Sequence, residues 1–300
     1  MATTTTTDVL RETDHVVAPR RGDVALFYTC IFGLTWGIAA LLILARPQVE
    51  ALTGAFGVHH PLYFLAVYAP TLTAVVLTAA RDGRPGLRRL AARVFRWRVP
   101  ARYYALVLLG WPAMDYLARV LQWAVEGDPI TLLPVATMPP LDGLPWVLAP
   151  ALVATTLLLD AGPLGEEVGQ RGYVQPRLLA VRSPLVASLE LGFVWGVWHL
   201  PAFAIAGTAQ HDLAMGAAWL ILGTTVSSVL MTWISLRTRG SVLVAGVLVH
   251  LMNNVVVAPL WAFALVAAVV AVPAAVSLHR TGRLTAARVA GRPAVGPAPR

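Results

Sequence analysis

The chain has no lysine, a single cysteine and few charged residues of any kind, 13% of its 300 positions. One cysteine, Cys30, excludes an intramolecular disulfide and a cysteine-based zinc site. The scarcity of charge, against 57% hydrophobic residues and a mean hydropathy of +0.68, excludes an ordinary water-soluble domain. Without lysine, the formal charge of +8 is carried wholly by arginine. The arginines gather between apolar stretches and near the end of the chain, a placement that orients a protein in a membrane and does not read as nucleic-acid binding. A composition free of lysine and rich in Ala, Arg, Gly and Pro also associates with GC-rich bacterial genomes, which points to the plasma membrane of a bacterium.

What the chain does have is apolar runs of spanning length, at 24–45, 61–80, 103–124, 146–172, 184–206, 213–236, 241–257 and 259–278. They predict an all-α, polytopic transmembrane bundle of eight spans. Pro259 leaves little room for a turn between the last two, so one long kinked helix is the alternative there. Residues 1–22 read as a mobile polar N-terminus and not a signal peptide, because further spans follow. Residues 23–278 form the membrane domain, and 279–300 read as a disordered basic tail. Eight arginines between Arg81 and Arg102 mark that loop as cytoplasmic by the positive-inside rule, which puts both termini on the same side. The stretch from Arg88 to Arg98 fits either a solvated topology signal or a basic helix on anionic headgroups.

Three polar clusters interrupt this apolar background: Glu166-Glu167-Val168-Gly169-Gln170-Arg171, Trp195-Gly196-Val197-Trp198-His199, and His250-Leu251-Met252-Asn253-Asn254. Ionisable groups at membrane depth cost about 2.5 to 3.5 kcal/mol each on insertion scales and mark function by default. Glu167 and Arg171 are four apart in the favourable order for a helical ion pair, which leaves Glu166, about 100° away, for chemistry. Gly162 and Gly169 share the stripe of Glu166, where a neighbouring helix or a substrate backbone can approach. His199 lies nine residues beyond Glu190 and His250 nine beyond Ser241, about 13 Å in each case, so the two imidazoles match in depth below the cytoplasmic face. His250 and Asn254 share a helical face and make a donor pair suited to an oxyanion; interhelical hydrogen bonding by Asn254 is the structural alternative. Glu166, His199 and His250 also offer zinc a carboxylate and two imidazoles, although no His-Glu-x-x-His is present. Asp115 and Arg119 read as a self-neutralising pair, and Asp160 as a partner for a histidine or arginine or as a polar contact with a water-filled cavity.

In this order, a diacid with arginine four after its second member, an aromatic four before a histidine, and a histidine four before an asparagine resemble the CPBP family of intramembrane proteases, which includes the type II CAAX prenyl proteases and the Abi bacteriocin-immunity proteins. Ala69-Pro70-Thr71-Leu72 and Trp97-Arg98-Val99 are similar to less specific features of that family. The aromatic usually seen as Phe in the second motif is Trp195 here, a change expected to act on packing more than on chemistry. The resemblance implies an endopeptidase in which Glu166 and His199 activate water while His250 and Asn254 stabilise the oxyanion, with Glu167, Arg171 and Trp195 in support. No cofactor is required by that reading, and a divalent metal such as zinc stays open. The implied partners are membrane lipids and a peptide or lipid-anchored protein substrate. A non-catalytic immunity or binding protein on the same fold is the alternative. A transporter is less consistent, because neither internal repeats nor matching broken helices are evident.

Overall fold

A computed structural model describes residues 20, 22–127, 130, 161–212, 216–256 and 258–290, and among these it is helical without strands. The first 19 residues, the 146–160 part of the fourth run with Asp160, and the last ten residues lie outside the described residues.

Helix α1 (Asp23–Thr53) begins with an acid in its first turn, is broken at Ala45 before Pro47, and stops at Gly54, whose φ of 89° few other residues would tolerate. The run expected at 61–80 is two helices, α2 (Pro61–Val67) and α3 (Ala69–Val94), bent by 56° at Tyr68. Pro61 opens α2 under a cap from His60, whose ring accepts the Leu62 N–H at 3.1 Å. Pro70 lacks an N–H to continue α2 into α3, which accounts for the bend. Past Gly83 and Pro85, α3 turns and runs on through the arginines, with Leu90 buried and Arg84 and Arg88 exposed. The basic stretch is thus helical as far as Val94. Helix α4 (Ala101–Glu126) follows Pro100 and ends at Gly127.

The described part of the fourth run starts with α5 (Ala161–Glu167), widens into a π-helical segment (Val168–Val174), and closes with α6 (Gln175–Leu179). Helix α7 (Pro184–Trp198) is capped by Ser183 and passes into a 3-10 turn (Leu200–Ala204), because Pro201 cannot extend the α-helical pattern. A short α8 (Ala209–Asp212) leads towards α9 (Ala217–Arg237). A second π-helical segment (Leu243–Leu248) leads into α10 (Val249–Asn254). The last helix, α11 (Leu260–Ala290), is separate from α10, with Pro259 in the gap and the Asp115 carboxylate accepting the Ala258 N–H at 2.8 Å. Asp115 also pairs with Arg119 at 3.1 Å, so this acid braces a chain reversal as well as neutralising its neighbour. Helix α11 runs past the boundary expected at 278, through an Ala-, Arg- and Leu-rich stretch of strong helix formers.

Among the described residues, α1, α7 with its 3-10 turn, α9 and the first part of α11 are long and apolar enough to cross a membrane, and the bent pair α2 and α3 makes a fifth candidate. Large apolar side chains such as Leu44, Leu52, Leu109 and Val269 point outwards, as lipid-facing residues do. Inside, small residues bring backbones together where hydrophobicity alone cannot drive association. A Cβ on Gly192 would lie 2.6 Å from Thr225 Cα of α9, and one on Gly169 would lie 2.5 Å from the Pro70 carbonyl oxygen. Gly169 is therefore a helix-packing position. One end of the bundle is ionic: Asp23 binds Arg81 and, at 3.5 Å, Arg177, which also reaches Asp82 at 3.1 Å.

Candidate active site

The three polar clusters converge although they sit on α5, α7 and α10. Glu166 and Glu167 end α5, Trp195 and His199 occupy the last turn and C-cap of α7, and His250 opens the turn of α10 that ends with Asn253 and Asn254. Both π-helical segments abut this site, one directly after the diacid and the other directly before α10. Such bulges are enriched at functional sites.

Glu167 is fully buried and accepts from two sides: Arg171 Nε at 3.0 Å and His250 Nδ1 at 2.9 Å. Arg171 continues the network to Ser228 Oγ at 2.8 Å and to Met231 Sδ at 3.1 Å, and its guanidinium lies 5.6 Å from the centre of the Trp195 ring. The expected ion pair is present. Its extension to His250 is new, and it matters because a carboxylate on Nδ1 sets the tautomer and aims Nε2 elsewhere.

Glu166 is 3% exposed and lies against the cavity described below. Its Oε2 accepts the Trp195 indole N–H at 2.5 Å, while Oε1 stands 3.8 Å from His199 Nε2. His199 Nδ1 lies 2.9 Å from the Trp195 carbonyl oxygen, an acceptor, so Nδ1 carries the proton and Nε2 presents its lone pair towards Glu166. Trp195 thus touches both residues of the pair and packs at a tilt of 58° against His250, with ring centres 5.1 Å apart. Trp in place of Phe was expected to act on packing more than on chemistry, but it also supplies a polar contact, since a phenyl ring has no N–H to give Glu166.

Asn253 and Asn254 line the same cavity, and Asn254 is the more exposed of the two. Asn253 Oδ1 accepts from Trp111 Nε1 at 2.8 Å, which ties α10 to α4. Asn253 belongs to the third polar cluster, but nothing in the sequence pointed to Trp111 or to their meeting, which spans 142 positions.

The cavity holds about 790 Å³. Glu166, His199, His250 and Asn254 form its inner end, and Ile38, Leu42, Phe56, Ile205, Trp219 and Leu220 contribute to its apolar wall. It extends away from the ionic end. From Pro184 to His199 is fifteen residues, about 22 Å along α7. Glu190, nine residues before His199, reaches back to Arg182 at 3.5 Å.

Among the described residues no three His, Cys, Asp or Glu side chains come together to hold an ion. Glu167 on His250 Nδ1 and the Trp195 indole on Glu166 Oε2 orient Glu166 and His250 within the site.

Residues 147–256, which carry every residue of the site, match the family described as type II CAAX prenyl endopeptidase Rce1-like. A curated relative, CAAX prenyl protease 2 of Methanococcus maripaludis, is 29% identical over 106 residues, covering 34% of this chain and 39% of that protein. The match spans well under half of either protein.

Proposed function

From the premise that residues 147–256 are an Rce1-like CAAX protease segment, we propose that the protein is an intramembrane endopeptidase of that type, set in the plasma membrane of a bacterium. The observation that carries this reading is the approach of Glu166 Oε1 and His199 Nε2 to 3.8 Å at the inner end of a large, mostly apolar cavity. That separation is too long for a direct hydrogen bond and suits two groups that share a water.

Glu166 takes a proton from this water while the oxygen attacks the scissile carbonyl carbon, and His199 Nε2 holds the water's other hydrogen. The carbonyl oxygen becomes an oxyanion facing His250 and Asn254. For His250 to donate from Nε2 while Nδ1 donates to Glu167, the ring is an imidazolium, and the Glu167 carboxylate supplies its countercharge. Glu166 then returns its proton to the amide nitrogen, the C–N bond breaks, and an amine and a carboxylic acid leave, the acid passing its proton to the amine to give a carboxylate and an ammonium ion. Glu167 and Arg171 are positioning residues, since they act through His250. Trp195 likewise fixes the Glu166 carboxylate. An apolar wall around a polar inner end fits a peptide that arrives with a lipid anchor or as an apolar segment.

The test is hydrolysis of quenched lipidated and plain peptides by the purified protein in detergent, with Glu166→Gln and His199→Ala beside the wild type and each run with and without chelator. Cleavage by the wild type that both substitutions abolish is expected. Intact, folded protein that cleaves neither peptide class would overturn the proposal in favour of a binding protein.

A further inference from the structure

Several polar groups on the cavity wall spend their protons locally. Among the described residues that line it, Thr35 donates to the Ala66 carbonyl at 2.9 Å, Thr208 to the Ala202 carbonyl at 2.6 Å and Thr224 to the Leu220 carbonyl at 3.0 Å. Asn253 differs, because its partners are donors. Trp111 Nε1 lies 2.8 Å from Asn253 Oδ1, and an indole nitrogen can only donate, so the atom facing it is the amide oxygen and not the amide nitrogen. Ser227 Oγ stands 3.5 Å from the same oxygen. Trp111 and Ser227 are buried and belong to α4 and α9, so two helices outside the three polar clusters fix how this carboxamide is turned. With Oδ1 committed, the part of the side chain left for the cavity is Nδ2 with its two N–H groups.

The place of Asn253 on its helix sets what those donors meet. Asn253 is three residues after His250 and Asn254 is four, so on α10 the two amides flank His250 and diverge by about 100°. Asn254 belongs to the oxyanion contact proposed above, whereas Asn253 is turned towards α4 and α9. Gly223, one turn along α9 from Ser227, also lines the cavity. It is not a packing glycine: a Cβ there would meet Leu260 at 3.7 Å and Ala264 at 4.0 Å, ordinary van der Waals separations. The wall is therefore low close to a fixed donor, which leaves room for a peptide backbone to lie along it.

We propose that Asn253 Nδ2 holds a backbone carbonyl of the substrate that flanks the scissile bond, with Trp111 as the positioning residue that sets the amide. That the bound chain is a substrate rests on the protease reading; the orientation of the amide does not. A carbonyl that does not react is held equally in the ground state and the transition state, so this contact lowers KM and leaves kcat alone. Asn253 is thereby distinct from Glu166, His199, His250 and Asn254, which act on the reacting atoms.

The test is steady-state kinetics of the full chain in detergent with the quenched lipidated peptide. Asn253→Asp keeps an oxygen for Trp111 and Ser227 and puts an acceptor in place of Nδ2, while Asn253→Ala removes the amide without adding charge. KM is expected to rise in both, by about two- to tenfold in the alanine variant, with kcat nearly unchanged. Trp111→Phe is expected to raise KM less, and to add nothing further once Asn253 is alanine. A Trp111 that served only as a brace would lower the unfolding temperature and leave KM where it was. A fall in kcat at constant KM would make Asn253 part of the oxyanion site and overturn the inference. A fluorescent copy of the peptide is also titrated by polarisation against the Glu166→Gln protein, with and without Asn253→Ala, and the same weakening is expected without turnover. Hydrolysis by the wild type with KM and binding indifferent to Asn253 would overturn the inference alone. Weakened binding in a protein that hydrolyses no peptide would support the contact while removing the protease reading.

Discussion

Two groups of buried ions lie at different heights in the bundle, with Arg171 six residues, about 9 Å, before Arg177, and they are built differently. At the arginine end, Asp23, Asp82, Arg81 and Arg177 share charge among four side chains, and Arg81 keeps a quarter of its side-chain surface in contact with solvent. In the site, Glu167 and Arg171 are both sealed, and each charge of the pair depends on the other. Near a bilayer surface an ion can lean on water and headgroups, so one broken contact is absorbed. At depth a broken pair leaves a bare charge in a medium that does not solvate it. A chain under selection for stability alone gains little from the second arrangement. It lies beside Glu166, His199 and His250, and Glu167 also accepts from His250 Nδ1, which fits the site proposed above.

Four substitutions test this contrast, from the largest effect to the smallest. Glu166→Gln keeps shape and size but removes the proposed base, and peptide hydrolysis is expected to fall by about 10²- to 10⁴-fold with thermal stability unchanged. Glu167→Gln strands Arg171 and unhooks His250. It is expected to cost about 3–5 kcal/mol, read as a lowered unfolding temperature in detergent, together with loss of activity. Trp195→Phe retains the aromatic packing and removes only the N–H to Glu166. A hydrogen bond to a charged group is worth about 1.5–3 kcal/mol, so kcat should drop tenfold or more with little change in KM or stability. Asp23→Asn at the arginine end is expected to cost about 1 kcal/mol or less, because Arg177 keeps Asp82 and Arg81 turns to water. If Asp23→Asn and Glu167→Gln proved equally costly, depth would not be what separates the two groups. An undiminished kcat in Trp195→Phe would return Trp195 to a packing role.

Much of the site was legible because its spacing is local. Glu167 and Arg171, Trp195 and His199, and His250 and Asn254 are each four apart, and helical periodicity alone sets each pair on one face. Three contacts were out of reach: Glu167 with His250, Trp195 with Glu166, and Trp111 with Asn253. They join positions 83, 29 and 142 apart, and no period connects them.

The apolar runs by themselves determined an all-α membrane bundle, since a bilayer admits no other way for such segments to satisfy their backbones apart from a closed barrel. The arginine pattern set the expectation of which end faces the cytoplasm. Where the runs break was left to the structure: the bend at Tyr68, the two π-helical segments and the early end of α7 depend on prolines and close-packed glycines whose effect is settled by the neighbour they meet. The depth and direction of the cavity were likewise decided by packing. Residue counts measure distance along one helix, whereas an opening is the space that several helices together leave unfilled.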